Sequence, residues 1–227
     1  EVVRIDADLQ AATELDAMKT SFFTSISHEF RTPLTLIMGP LEKLRDFPKQ
    51  KNIKQQVEMI LRNATRMQNL ITQLLDLAKI QSSKLLLEVS EHDFAKHIRT
   101  ISAAHESLAD SKGFSFNTKI PDIEQPLYYD REMMNKIVNN LLSNAFKYCT
   151  ARGEVILSVS QNDDTVDLII ENSGEPLSPA DQERIFEHFQ RINGADGQVE
   201  GSGIGLALVK DLMELHHGKI GVRSEPG

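Results

Sequence analysis

The fold of the N-terminal region is decided by a short stretch, Ser27–Leu34, which reads SHEFRTPL. Around it, apolar residues recur every three or four positions, the spacing of one face of an α-helix. These apolar positions are Ile26, Phe30, Leu34, Ile37, Leu41 and Leu44. His28 comes two residues after Ile26, about 200° around a helix that turns ~100° per residue, so it faces away from the stripe. We therefore expect the His28 imidazole to be accessible for chemistry, with the Glu29 carboxylate next to it in the chain.

A second long helix is predicted after a loop of proline and polar residues at 47–52. Its apolar residues run from Ile53 to Ala78 at helical spacing. Two long helices joined by a short loop form a helical hairpin. One hairpin cannot bury stripes this wide, whereas two hairpins form a four-helix bundle, so we expect a homodimer. The alternative is a monomer in which a second domain covers the stripe.

The sequence divides into three predicted regions. Residues 1–18 are interpreted as a coiled-coil entry helix with a break in its register, and an ordinary amphipathic helix is the alternative. The heptad positions are Val2, Ile5, Leu9 and Ala12. The helical hairpin occupies residues 19–80, and a polar linker at 79–84 leads to a second domain at 85–227.

The second domain has the pattern of a mixed α and β domain. Strands are predicted at 85–89, 114–120, 127–129, 155–160, 166–171 and 219–223. Helices are predicted at 93–110, 131–148 and 204–216. Together with the hairpin, this order predicts an α+β chain with a helical N-terminal part.

The helix predicted at 131–148 carries four polar residues on one face, at Asn140, Asn144, Lys147 and Tyr148. Asparagine is a poor helix former, so two of them within one helix face favour a binding function over a solvated surface. The face offers amide oxygens, an ammonium group and an aromatic ring to one ligand. An amide oxygen suits Mg²⁺, which prefers hard oxygen ligands and retains phosphate oxygens.

A glycine-rich turn precedes the last predicted helix. Its candidate binding residues are Gly201, Gly203, Gly205 and Leu206. Glycines that open a helix let the backbone approach a phosphate, and the helix N-terminus offers free N–H groups and a positive dipole end. The turn does not follow a strand, which disfavours a dinucleotide-binding motif.

Composition excludes several classes of protein. A length of 227 residues accommodates two small domains, and a net charge of −8 without a basic stripe disfavours a nucleic-acid partner. The single cysteine, Cys149, cannot form an internal disulfide, which fits a reducing compartment. No apolar run approaches the ~20 residues of a membrane helix, so we expect any membrane attachment to lie in segments outside this chain.

The Ser27–Leu34 stretch resembles the phosphoacceptor box of the sensor histidine kinases of two-component systems. The resemblance implies that His28 is phosphorylated by ATP and passes the phosphoryl group to an aspartate on the receiver domain of a response regulator. It also implies that Glu29 takes the imidazole proton or orients the ring, and that Thr32 helps to place a water that dephosphorylates the regulator. The flanking residues also resemble hybrid sensor kinases of gut Bacteroidetes.

The second domain resembles the ATP-binding domain shared by histidine kinases, type II topoisomerases, Hsp90 and mismatch-repair ATPases, an α/β sandwich. The resemblance implies that Asn144 binds Mg²⁺ and that Asn140, Lys147 and Tyr148 face the phosphates or ribose. Asn172 takes the place of the adenine-binding aspartate, followed by Gly174. Pro176 replaces the second glycine of that motif, Arg191 matches the lid arginine, and the turn Gly201–Leu206 binds phosphate. One more strand is expected after Gly227.

Three other functions remain open from the sequence. One is an ATP-driven conformational machine of the topoisomerase or chaperone kind, which shares the nucleotide motifs but needs no His-Glu pair. Another is a non-catalytic dimeric scaffold, motivated by Asn172 and Pro176. The third is a histidine kinase fold in which phosphatase activity on the regulator dominates. The resemblance further implies that the chain is the cytoplasmic portion of a bacterial inner-membrane receptor.

Overall fold

The computed structural model describes most of the chain: residues 26–27, 29–44, 53–82, 85–123, 126–162, 165–188 and 203–225. The described residues form two compact units that divide between Lys79 and Ile80. Residues 188, 203 and 204 group with the first unit, and residues 205–225 with the second. The coiled coil predicted for residues 1–18 lies outside the described part of the chain.

The first unit is built from two helices, α1 over residues 29–44 and α2 over Ile53–Gln81. They confirm the predicted helical N-terminal region, and α1 continues through Pro33 without a break. The linker predicted at 79–84 begins later than expected, since α2 extends to Gln81. The reason is that Ile80 continues the apolar spacing of α2 for one more turn.

The second unit contains four helices and five strands among its described residues. The helices are α3 (Phe94–Lys112), α4 (Arg131–Tyr148), α5 (Pro179–Arg184) and α6 (Gly205–Leu215). The strands are β1 (Ser90–His92), β2 (Ser115–Lys119), β3 (Leu127–Tyr129), β4 (Glu154–Gln161) and β5 (Val166–Asn172). This unit confirms the predicted α/β domain.

The strands form two sheets. Strand β4 lies between β2, which is parallel to it, and β5, which is antiparallel to it, in register Leu157↔Ile170. Strands β1 and β3 form a separate antiparallel pair. Along β4, Val155, Leu157 and Val159 alternate with less buried residues, so one face of the sheet is the core face.

Helices α3 and α4 cover that face. The core combines residues of both helices with the sheet: Phe94, Ile98, Val138, Leu142, Phe146, Val155 and Leu157. Both helices start at an aspartate cap, where Asp93 accepts a hydrogen bond from the Lys96 amide at 2.8 Å and Asp130 accepts one from the Met133 amide at 3.0 Å. Helix α4 also packs against α6, which places the start of α6 beside it.

Two predicted strands are wrong. Residues 85–89 form no strand, because their would-be partner β3 ends at Tyr129 and the next residue, Asp130, caps α4. The Glu88 amide accordingly donates to the Asp130 carboxylate at 2.8 Å instead of to a strand carbonyl. Residues 219–223 also form no strand, because they are not hydrogen-bonded into either sheet of the described residues.

Helix α5 was not predicted, although the sequence contains its start. Ser178 caps it by accepting a hydrogen bond from the Asp181 amide at 3.1 Å, and Pro179 occupies the first helical position. A serine followed by a proline is a recognisable helix start. The helix spans only six residues, which is too short for an apolar period to reveal it.

Candidate functional site

Two of the three catalytic candidates lie on α1 among the described residues, and the third, His28, lies outside them. The Glu29 side chain is only 10% exposed, and Arg66 of α2 forms an ion pair with it at 3.7 Å between Nη2 and Oε2. Thr32 is exposed one turn further along α1. The sequence reasoning missed Arg66, because no spacing along one helix reveals a contact with another.

Helix α4 presents the predicted binding face. Asn140 and Tyr148, the first and last of the four candidate residues, are eight positions apart, about 12 Å of helix at 1.5 Å per residue. The opposite side of the helix is buried in the core at Val138, Leu142, Ala145 and Phe146. The four candidate residues are half-buried or exposed, so their polar groups remain accessible to a ligand.

The side chains on this face differ in how they are held. The Asn140 amide donates to the Lys136 carbonyl at 2.8 Å, which fixes its orientation. The Lys147 ammonium donates to the Tyr148 hydroxyl at 3.0 Å and lies 4.6 Å from the centre of that ring. Asn144 makes no hydrogen bond to the described part of the chain, so its amide oxygen is available to a cation.

The second motif lies against the C-terminal end of α4. The Thr150 amide donates to the Ser173 carbonyl at 2.8 Å, which connects the residue after β5 to the residues after α4. A Cβ atom on Gly174 would lie 2.9 Å from the Tyr148 carbonyl oxygen and 2.9 Å from Nδ2 of Asn172. Glycine is therefore required at 174 for this close approach.

Gly205, the first residue of α6 and a member of the third motif, lies near the middle of α4. A Cβ atom on Gly205 would lie 2.9 Å from Oδ1 of Asn140, so the first residue of α6 touches the binding face of α4. Gly203 has a φ of +65°, in the left-handed region that favours glycine. Leu206 is half-buried in the first turn of α6. Gly201 and Arg191 lie outside the described residues.

The structure thus brings Gly174 of the second motif and Gly205 of the third motif against α4. Gly205 adjoins Asn140 on α4, and Gly174 adjoins Tyr148 at its C-terminal end, with Asn144 between them. A ligand laid along this face meets the start of α6 at one end, where N–H groups and the helix dipole favour phosphate. At the other end it meets the end of β5, where Asn172 lies.

A buried polar network supports the inner side of α4. His97 of α3 lies 2.8 Å from the Tyr129 hydroxyl through Nδ1 and 2.8 Å from Oδ1 of Asn135 through Nε2. Burial lowers the pKa of His97, which keeps the ring neutral, and burial raises the pKa of Tyr129 to about 12. Both ring nitrogens of His97 are satisfied, so it is a structural residue.

The described residues offer neither a cluster of metal-binding side chains nor a membrane-spanning helix. No group of three His, Cys, Asp or Glu side chains there could hold a metal ion, so a cation at Asn144 would depend on ligand oxygens. None of the helices in that part of the chain is long and apolar enough to cross a membrane.

Comparison with known proteins identifies the family. Residues 18–83 match the His Kinase A (phospho-acceptor) domain, and residues 129–227 match the histidine kinase-, DNA gyrase B- and HSP90-like ATPase domain. The chain belongs to the sensor histidine kinases. The predicted family is thereby confirmed, and the match of residues 129–227 to an ATPase domain supports the predicted use of ATP.

Individual relatives agree with this assignment. The chain is 32% identical over 218 residues to hybrid signal transduction histidine kinase D of Dictyostelium discoideum, and 34% identical over 218 residues to sensor histidine kinase TmoS of Ectopseudomonas mendocina. The alignments cover 93% and 94% of this chain but 14% and 22% of those relatives. Full-length ShkA in complex with AMPPNP has a similar structure, with a TM-score of 0.65 and 25% identity over 90% of this chain and 42% of ShkA.

Proposed function

We propose that this chain is the catalytic core that phosphorylates His28 from Mg-ATP and passes the phosphoryl group to an aspartate of a response-regulator receiver domain. The observation that carries the proposal is the approach of Gly174 of the second motif and Gly205 of the third motif to α4 in a chain whose residues 18–83 match a phosphoacceptor domain. The corresponding regions are a coiled-coil entry helix at 1–18, the phosphoacceptor hairpin at 19–80 and the ATP-binding domain at 85–227.

The nucleotide lies along α4 in this proposal. Its phosphates meet the first turn of α6 near Gly205, and its adenine meets Asn172 at the end of β5. Lys147 supplies positive charge to the phosphates, with Arg191 and the glycines of 201–205 completing the phosphate site. The Asn172 amide oxygen accepts from the adenine amino group, although its NH₂ group is a competing donor.

Asn144 is the proposed protein ligand of Mg²⁺. The fit rests on its amide, which makes no hydrogen bond to the described residues and carries the hard oxygen that Mg²⁺ prefers. When bound, Mg²⁺ neutralises charge on the phosphate oxygens. The remaining catalysis comes from position, since phosphoryl transfer requires mainly alignment and charge stabilisation.

The proposed transfer moves the γ-phosphoryl group from ATP to His28. An imidazole nitrogen of His28 attacks the γ-phosphorus, an N–P bond forms, and the bond between that phosphorus and the ADP oxygen breaks. Glu29 accepts the proton of the ring or holds the ring in the reactive tautomer. In the separate phosphatase reaction, Thr32, exposed one turn further along α1, helps to place the water that attacks the aspartyl phosphate of the regulator, so that the aspartyl–phosphate bond breaks and inorganic phosphate leaves.

A homodimer is the proposed assembly of the hairpin. Several large apolar side chains of α1 and α2 are strongly exposed in the single chain, among them Leu34 (49%), Leu41 (46%), Leu61 (60%) and Leu75 (56%). A second hairpin would bury them in a four-helix bundle. The chain is also proposed to be the cytoplasmic portion of a bacterial inner-membrane receptor, attached through segments outside residues 1–227, with no nucleic-acid partner.

The test is incubation with γ-labelled ATP and Mg²⁺, comparing the unaltered chain with His28→Ala. Exposed His217 provides the matched control as His217→Asn, because asparagine tolerates its left-handed φ of 57°. The proposal expects an acid-labile label that survives in His217→Asn and disappears in His28→Ala. Nucleotide binding without label would favour an ATP-driven machine or a dominant phosphatase. No nucleotide binding would favour the non-catalytic scaffold, the alternative motivated by Asn172 in place of the family's aspartate.

A further inference from the structure

Arg66 of α2 stands out because the carboxylate that it pairs with is nearly buried. The Glu29 side chain is 10% exposed and the Arg66 side chain 33%. Four ion pairs of the second unit differ, since their acidic side chains are 55–94% exposed. Exposed pairs of that kind add little to stability, because water already solvates both charges.

A nearly buried carboxylate behaves differently. It has lost most of its hydration and is stable in one orientation only where an opposite charge or hydrogen bonds replace the water. The guanidinium of Arg66, on the neighbouring helix, supplies that charge at 3.7 Å. Its planar group of N–H donors matches the shape of a carboxylate, which an ammonium group does not.

We propose that Arg66 is a positioning residue for phosphoryl transfer, holding the Glu29 carboxylate in the orientation in which it serves the adjacent His28. This inference rests on the proposed function, because it gives Glu29 the role of proton acceptor or ring-orienting group. What the guanidinium contributes is position, because it attracts the carboxylate toward α2.

The test replaces Arg66 in the whole chain by Met, which has a similar length and no charge. Arg62, exposed one turn earlier on the same helix, gives the matched control Arg62→Met. We expect Arg66→Met to lower the rate of His28 labelling at saturating ATP on the order of tenfold, a part of the 10²–10⁴ that a general base contributes. The KM for ATP should stay unchanged, because Arg66 lies on α2, whereas the nucleotide-binding face of α4 belongs to the other unit. Arg62→Met should leave both parameters unchanged.

A double-mutant cycle separates positioning from a general structural effect. If Arg66 acts through the carboxylate, Arg66→Met causes no further loss of rate in a Glu29→Gln chain. A full additional tenfold loss in that background overturns the proposal, as does an unaltered rate in Arg66→Met itself. Where Arg66→Met fails to fold, Arg66→Lys carries the test, and it is expected to recover only part of the rate because it keeps the charge and lacks the planar group.

A failure of the proposed function would give a different experimental result from a failure of the role of Arg66. It would show as absence of an acid-labile, His28-dependent label in the unaltered chain, and the role of Arg66 would fall with it. Normal labelling of the unaltered chain together with normal labelling of Arg66→Met overturns the role of Arg66 alone.

Discussion

Replacing Gly174 by alanine adds one methyl group at the junction of two nucleotide motifs. The new Cβ would lie 2.9 Å from the Tyr148 carbonyl oxygen and 2.9 Å from Nδ2 of Asn172. The Asn172 side chain can rotate away, but a backbone carbonyl at the end of α4 cannot. Relief therefore requires the residues after β5 to move away from α4.

Hydrogen bonds around Ser173 resist that movement. Its amide donates to the Glu154 carbonyl at 2.9 Å, its carbonyl accepts from the Thr150 amide at 2.8 Å, and its hydroxyl accepts from the Glu154 amide at 3.1 Å. Overpacking against such a fixed neighbour costs about 1–3 kcal/mol. If about 1.4 kcal/mol of this strain falls on the binding-competent arrangement, ATP affinity falls roughly tenfold.

The assay is titration of ATP against the unaltered chain, Gly174→Ala and a control, Gly221→Ala. A Cβ on Gly221 has no atom within 4 Å, and its φ lies outside the left-handed region, so the control should bind ATP normally. The midpoint of thermal unfolding should be several degrees lower for Gly174→Ala, since each kcal/mol of lost stability lowers the midpoint by about 2–4 °C in a chain of this size. Equal ATP affinity and equal midpoints for the two variants would refute the close approach of Gly174 to α4.

Three further changes have expected outcomes. Asn172→Asp should tighten ATP binding roughly fivefold by calorimetry, because a charged acceptor makes a hydrogen bond about 1 kcal/mol stronger and the competing NH₂ donor is lost. Gln182→Met should lower the free energy of unfolding, measured in urea, by about 2 kcal/mol because it removes three hydrogen bonds. The Gln182 side chain donates to the Leu177 carbonyl at 3.0 Å and to the Ser224 carbonyl at 3.2 Å, and it accepts from the Ser224 amide at 3.2 Å. The free energy of unfolding should decrease at pH values below the ordinary pKa of histidine, because the folded state holds His97 neutral.

Exposed Gln161, at the end of β4, gives matched controls for the first two changes. Gln161→Glu adds the same charge as Asn172→Asp far from the proposed adenine position and should leave ATP affinity unchanged. Gln161→Met removes an amide without buried partners and should leave stability within about 0.5 kcal/mol. Equal effects of the site variants and these controls would contradict both assignments.

Elements with a complete local pattern were predictable from the sequence. Helix α4 begins after a capping aspartate and has a continuous apolar period, and its observed bounds agree with the predicted 131–148. Strand β3 also agrees with the predicted 127–129. The segments 85–89 and 219–223 were wrong because a strand also needs a partner, and alternation of side chains contains no information about whether one lies alongside.

The candidate site also combines residues that the sequence predicts with contacts that it does not predict. The side chains of Asn140, Asn144, Lys147 and Tyr148 share a helix face that spacing alone predicts. The approach of Gly205 to Asn140 and the pairing of Arg66 with Glu29 depend on contacts between separate elements, and only the structure reveals them. The roles of His28, Arg191 and Gly201 stay predictions, since these residues lie outside the described part of the chain.

The pH dependence expected from His97 follows from its two hydrogen bonds. A neutral imidazole donates from one nitrogen and accepts at the other, so Nε2–H donates to Oδ1 of Asn135 while Nδ1 accepts from the Tyr129 hydroxyl. Burial lowers the pKa of His97, the hydrogen bond to Asn135 opposes this, and the charges of Arg131 and His92 lower the pKa further. The unfolded chain therefore takes up this proton at a higher pH than the folded chain does.

Stability is then level above the ordinary histidine pKa of about 6.5, falls as the pH drops through that value, and levels again below the lowered pKa of the folded state. One proton limits the slope to about 1.4 kcal/mol per pH unit. Urea unfolding of the unaltered chain and of His97→Gln between pH 8 and pH 5.5 measures the difference, above the range in which ordinary carboxyl groups titrate. Parallel curves would mean that His97 does not carry this dependence, and a rise in stability toward acid would mean that the buried ring is charged.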